Sequence, residues 1–136
     1  MFTHIIRWIY VVSAWLIFVV VIVQFFLAGL GVFSGDFQMH VALGYTIFFL
    51  MLLVLVIALV ARLPWRTLGL TALLPVLVFL QSIFIEAWSN GLAYIAALHV
   101  VNGLAIFSLA GILAVRSSVF LSAEKLRATQ AARRLS

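Results

Sequence analysis

Four long apolar runs, Trp8–Val32, Met39–Ala61, Leu68–Ala87 and Leu92–Val115, leave this chain very few ways to fold. Each is about long enough to cross a ~30 Å hydrocarbon core at roughly 1.5 Å per residue. Only 8% of the 136 residues are charged while 68% are hydrophobic, and the mean hydropathy is +1.36. So few charges cannot cover the apolar surface of a water-soluble domain. The pattern predicts an all-α integral membrane protein, a four-transmembrane-helix antiparallel bundle. The first run follows Arg7, as a secretory signal does, but it far exceeds a signal core and lacks a convincing small-x-small cleavage site, so it reads as a retained helix.

Charge placement predicts orientation. Arg7 precedes the first span, Arg62 and Arg66 lie between the second and third, and Arg116, Lys125, Arg127, Arg133 and Arg134 follow the fourth. These are all eight Lys and Arg residues, and they fall on one side. The opposite loops, around Ser34-Gly35-Asp36 and from Glu86 to Gly91, contain none. The positive-inside rule then places both termini in the cytoplasm, with the bacterial cytoplasmic membrane as the expected location. Trp8 and Trp65 mark the inner interface, Trp88 and Tyr94 the outer. The basic excess therefore reports topology and not nucleic-acid binding. Residues 1–116 form the bundle, and 117–136 a basic tail expected near anionic headgroups or as a solvated anchor.

Within this frame two segments match. Residues 40–48 and 99–107 both read His-x-x-x-Gly-x-x-Ile-Phe, and Gln24 in the first span corresponds to Gln81 in the third. The chain thus reads as two pseudo-repeated hairpins, about 8–61 and 68–115, related by an axis along the membrane normal. Pro75, inside the third span, predicts a kink.

The matched histidines are the strongest functional candidates, because ionisable side chains inside a membrane are costly and mark sites by default. The chain has no cysteine, which removes disulfides, thiolate metal sites, iron–sulfur clusters and covalent haem. Histidine is then the one strong borderline-to-soft metal ligand left. Two imidazoles on different helices at equal depth suit the two axial positions of a haem b. Gly44 and Gly103 lie one turn deeper on the same helix faces, where a side chain would collide with a porphyrin plate. Gln24, Gln81 and Asn102 are further candidates for the cofactor site, as propionate donors, as partners of the imidazoles, as contacts to a quinone headgroup or as interhelical glue. The alternatives stay open: a register-fixing hydrogen bond between helices, one chlorophyll-type pigment on each histidine, or a zinc site of His40, His99 and Glu86.

The segments around His40/Gly44 and His99/Gly103, with Gln24 to Gly29 and Gln81 to Phe84, resemble one half of haem A synthase. The halves of that enzyme are four-helix bundles with a histidine on the second and fourth helices near the outer face. The chain is also similar to uncharacterised four-span bacterial membrane proteins whose fourth helix reads like Leu98 to Phe107. In haem A synthase the catalytic half carries a glutamate three residues before its first histidine. Here that position is Phe37, with Asp36 one step further, so the resemblance implies haem binding without methyl oxidation.

The expectation is therefore a single-haem b-type cytochrome module near the outer face. Membrane lipid surrounds it, and its electron partner is a quinone or another redox subunit, with a homo-oligomer as a further arrangement. The other reading is a non-catalytic accessory subunit of a respiratory or photosynthetic complex. A transporter or channel is disfavoured because no charged path crosses the membrane.

Overall fold

A computed structural model describes residues 2–135, apart from the side chains of 124, 125, 127–129, 131, 132, 134 and 135. It contains four helices: α1 (Phe2–Ser34), α2 (Gln38–Val60), α3 (Trp65–Ser89) and α4 (Ala93–Leu135). Every one is long and apolar enough to span a membrane. Their order around the bundle is cyclic: α1 and α3 each pack against α2 and α4. The diagonal pairs are thus α1/α3 and α2/α4. One end of the bundle carries Arg7, Arg62, Arg66 and Arg116 and is called the basic end. The other is the histidine end.

The predicted spans and the helices agree at the loops and part at the free ends. α1 begins at Phe2, ahead of the predicted Trp8, and α4 runs on to Leu135, far past Val115. No Gly or Pro follows Gly111, and the residues after Arg116 are rich in the helix formers Ala, Leu, Glu, Lys, Arg and Gln. Losing hydropathy does not end a helix when nothing breaks its backbone. Residues 117–135 are therefore a continuation of the fourth span. The headgroup role predicted for Lys125, Arg127 and Arg134 lies outside the described side chains.

Each turn has a local cause. Gly35 (φ +75°) and Gly91 (φ +75°) take the left-handed conformation at the histidine end. After α3, the Leu92 amide donates to the Ala87 carbonyl (2.9 Å) and the Gly91 amide to that of Trp88 (3.0 Å), a Schellman-type closure. Before α2, the Asp36 carboxylate accepts the Gln38 amide at 2.8 Å. At the basic end the Leu63 amide reaches back to the Ala58 carbonyl (3.3 Å), but here the left-handed residue is Arg62, with φ 51°. A side chain in that conformation costs about 1–2 kcal/mol. Arg62→Gly should therefore raise resistance to denaturation in detergent by roughly 1 kcal/mol. A loss of stability would show that the Arg62 side chain contributes more than its backbone strain removes.

Tyr10, Ala14, Ile17 and Val21 of α1 face Ile47, Met51, Val54 and Ala58 of α2, both sets spaced four, three and four residues apart. Leu74 of α3 and Ile106, Ala110, Leu113 and Ala114 of α4 complete the core. The outward faces are also apolar, as lipid requires: Phe26, Val32, Phe33 and Tyr45 are all exposed.

Across the α1/α3 diagonal, the buried Tyr10 hydroxyl lies 2.6 Å from Thr71 Oγ1. Thr71 already donates its own proton to the Thr67 carbonyl at 2.8 Å, so Tyr10 is the donor. Pro75 sits one turn on, inside an α3 that continues through it. Its missing amide leaves the Thr71 carbonyl without its usual intrahelical donor. Tyr10→Phe is expected to cost about 1–2 kcal/mol, near the upper end for hydrogen bonds between membrane helices. A variant as stable as the parent in reversible unfolding would show that the hydroxyl adds nothing.

Candidate functional site

His40 enters from α2 and His99 from α4, across the second diagonal, at the end opposite Tyr10. Both are half-buried. Their ring centroids are 6.2 Å apart with the ring planes at 59°. For comparison, two imidazole nitrogens bound at roughly 2.0–2.1 Å on opposite sides of one metal ion place the centroids about 6.3 Å apart, and at a tetrahedral angle about 5.2 Å.

The protonation of both rings follows from their partners. His40 Nδ1 lies 3.1 Å from the backbone carbonyl of Gln24 on α1, and His99 Nδ1 lies 3.4 Å from that of Gln81 on α3. A carbonyl can only accept, so Nδ1 carries the hydrogen in both rings. In the neutral imidazole Nε2 then bears the lone pair, the arrangement that suits metal ligation. A carbonyl holding the other ring nitrogen is the usual support for a ligating histidine.

The glutamine side chains complete the arrangement, and they occupy the glycine clearances. A Cβ on Gly44 would lie 3.3 Å from Gln24 Nε2, and one on Gly103 would lie 3.3 Å from Gln81 Nε2. The missing side chain at i+4 uncovers the carbonyl of residue i. Through that opening Gln24 Nε2 donates to the His40 carbonyl at 2.8 Å. The same amide nitrogen is 3.5 Å from His40 Nε2, a long and weak contact. Gln24 and His40 thus exchange two hydrogen bonds between α1 and α2. The glycines were expected to make room for a porphyrin plate. In this arrangement they make room for glutamine amides.

Gln24 Oε1 and Gln81 Oε1 are buried and have no hydrogen-bond partner among the described residues. The 2.8 Å bond from Gln24 Nε2 fixes which end of that amide is oxygen, because a flipped amide would set two acceptors together. A buried acceptor without a donor costs about 1–3 kcal/mol, so two at equivalent places require an explanation.

Asn102, buried on α4, donates from Nδ2 to the Leu77 carbonyl of α3 at 2.7 Å. It ties two helices together one turn below Gln81, the glue role among those foreseen. Glu86 is exposed near the end of α3, and no group of three or more His, Cys, Asp or Glu residues gathers among the described residues. The zinc alternative through Glu86 therefore has no such cluster behind it.

Two features had no clear signal in the sequence. Phe37 lies edge-on to His40, with centroids 6.3 Å apart, and its ring covers Gly31, where a Cβ would come within 2.5 Å of it. Gly31→Ala should therefore displace Phe37 and loosen the His40 ring, seen as faster exchange of its Nδ1 proton by NMR. An unchanged exchange rate would mean that Phe37 does not steady the imidazole. Phe25 and Phe18 of α1 clasp Phe107 of α4, at 6.0 and 5.2 Å between centroids, and close the α1/α4 seam below the histidines. The only hint was the phenylalanine that ends the second His-x-x-x-Gly-x-x-Ile-Phe segment.

Residues 24–87 match the model of a family of unknown function, DUF6220. The similarity begins at Gln24, takes in His40, Gly44 and Gln81, and stops before His99. No curated protein and no solved structure matches the chain.

Proposed function

We propose that the chain is a membrane b-type cytochrome module in which His40 and His99 are the axial ligands of one haem b. The observation that carries this reading is the adjacent imidazole pair, with Nδ1 of each ring against the Gln24 or Gln81 carbonyl and the centroids 6.2 Å apart. The donor set fits the cofactor. The space between the rings does not yet fit a broad plate, because the Gln24 and Gln81 amides lie against the glycines. Both amides end flexible side chains, and turning them aside opens the glycine faces.

In this reading the two hairpins are repeats about an axis normal to the membrane, supported by the matched Gln–His–Gly contacts. The basic end lies in the cytoplasm by the positive-inside rule, and the histidine end lies outside, in a bacterial cytoplasmic membrane. When bound, haem b supplies a reversible one-electron couple. His40 and His99 would hold the iron, which would disfavour binding of oxygen or substrate there, and the Gln24 and Gln81 carbonyls keep the ring tautomers fixed. The exchange partner is a quinone in the adjacent lipid or a neighbouring redox subunit.

The test is an optical spectrum of the full chain purified from haem-replete cells, oxidised and dithionite-reduced. Sharp α and β bands on reduction are the expected result. One observation favours a second reading, an accessory subunit without cofactor: the amides already fill both glycine clearances. A colourless, cooperatively folding protein would select it, and far-red absorption would select a chlorophyll-type pigment.

A further inference from the structure

At the histidine end the unsatisfied atoms all have the same polarity. His99 Nε2 carries a lone pair, His40 Nε2 is engaged only by the 3.5 Å contact to the Gln24 amide, and the two glutamine Oε1 atoms are buried without donors. Two of these four acceptors are buried without any donor, and a positive centre would satisfy all of them. A porphyrin would use the two nitrogens and still leave both amide oxygens unsatisfied, since its own nitrogens are spent on the metal.

We propose that, in the absence of porphyrin, His40 Nε2, His99 Nε2, Gln24 Oε1 and Gln81 Oε1 bind a bare first-row transition-metal dication of the zinc, cobalt or copper type. The proposal rests on the same histidine pair as the cytochrome reading but not on its porphyrin. The rings lie 6.2 Å apart, so they need to close by about 1 Å to share one tetrahedral ion. The Nδ1–H groups are held by carbonyls, so Nε2 is the ligating atom in both rings. The glycines gain a role that needs no plate: without a Cβ at Gly44 and Gly103, the amides can lie beside the imidazoles.

Ligand chemistry narrows the ion. Imidazole nitrogen suits zinc, copper, nickel and cobalt, whereas magnesium and calcium take oxygen shells. No carboxylate or thiolate joins the four ligands, so the bound dication keeps its full charge near the membrane surface. The site should accordingly be exchangeable, with affinity on the order of micromolar, and not a permanent structural centre.

Cobalt(II) is the probe, titrated into the full chain purified in detergent from a haem-deficient host. Visible d–d bands of a four-coordinate site are expected, and zinc should abolish them. His40→Ala or His99→Ala should weaken binding at least 100-fold, and Gln24→Leu with Gln81→Leu about 10- to 100-fold. Gln24→Glu keeps the side chain's size, adds a negative ligand and should tighten binding about tenfold, which guards against variants that simply misfold. A folded parent chain that gives no cobalt bands overturns the proposal. Bands unchanged by both the leucine pair and Gln24→Glu overturn the assignment of the amide oxygens. Cobalt bands together with a colourless haem-replete preparation would defeat the cytochrome reading and leave the metal site standing.

Discussion

In the cytochrome reading, His99→Ala is expected to erase the low-spin haem spectrum of the purified protein, and His40→Ala to do the same, each by itself. The two rings lie with centroids 6.2 Å apart across the α2/α4 diagonal, and no third imidazole lies near to replace either. His4, the remaining histidine, accepts the Trp8 indole N–H on α1 at the basic end. In that reading either histidine alone would be left to hold the iron. The reduced α band should therefore collapse and haem should wash out during purification, a loss in affinity of at least 100-fold. Asn102→Ala is the control. Asn102 bonds the Leu77 carbonyl, so its removal should weaken the α3/α4 contact while leaving the bands in place. Intact bands in both histidine variants would rule out the bis-histidine assignment.

The second large effect is expected from Gly103→Leu, and its contrast with Gly44→Ala is the informative part. A Cβ at Gly103 meets Gln81 Nε2 at 3.3 Å and the Phe25 ring at 3.6 Å, with α3 on one side and α1 on the other. The rest of a leucine has nowhere to go. Overpacking of this kind costs typically 1–3 kcal/mol, and the strain should part α4 from its neighbours at the histidine end. At Gly44 the one close neighbour is Gln24 Nε2, again at 3.3 Å, the tip of a flexible side chain that can yield. Gly44→Ala should therefore stay within about 1 kcal/mol of the parent, losing mainly the amide bond to the His40 carbonyl. Unfolding titrations of the two variants in one detergent compare them directly. Equal stabilities would mean that Phe25 does not confine Gly103.

Much of the architecture was legible in the residues, for reasons that also explain what was not. Gly35, Pro64 and Gly91 punctuate the chain, so the three loops and the four spans could be placed within a few residues. The outer limits of α1 and α4 could not, because hydropathy reports contact with lipid whereas helical hydrogen bonding continues wherever nothing interrupts it. His40, His99 and the two glutamines stood out through their matched positions. Their detailed roles were hidden because backbone groups decide them. No pattern of side chains reveals that the Gln24 and Gln81 carbonyls take the Nδ1 protons, or that a missing Cβ at Gly44 opens the His40 carbonyl to a neighbour. Tyr10 and Thr71 lie far apart in sequence, and only the diagonal geometry of the bundle brings them together.

The hydroxyl contact and the imidazole contact brace opposite diagonals at opposite ends of the four rods. Pushing His40 and His99 apart distorts the square cross-section there into a rhombus and draws α1 and α3 toward each other at that level. At the far end Tyr10 and Thr71 already hold α1 and α3 at a set separation, so the rods cannot simply slide. With each diagonal drawn together at a different end, these two contacts leave α2 and α4 free to part at one end and α1 and α3 at the other.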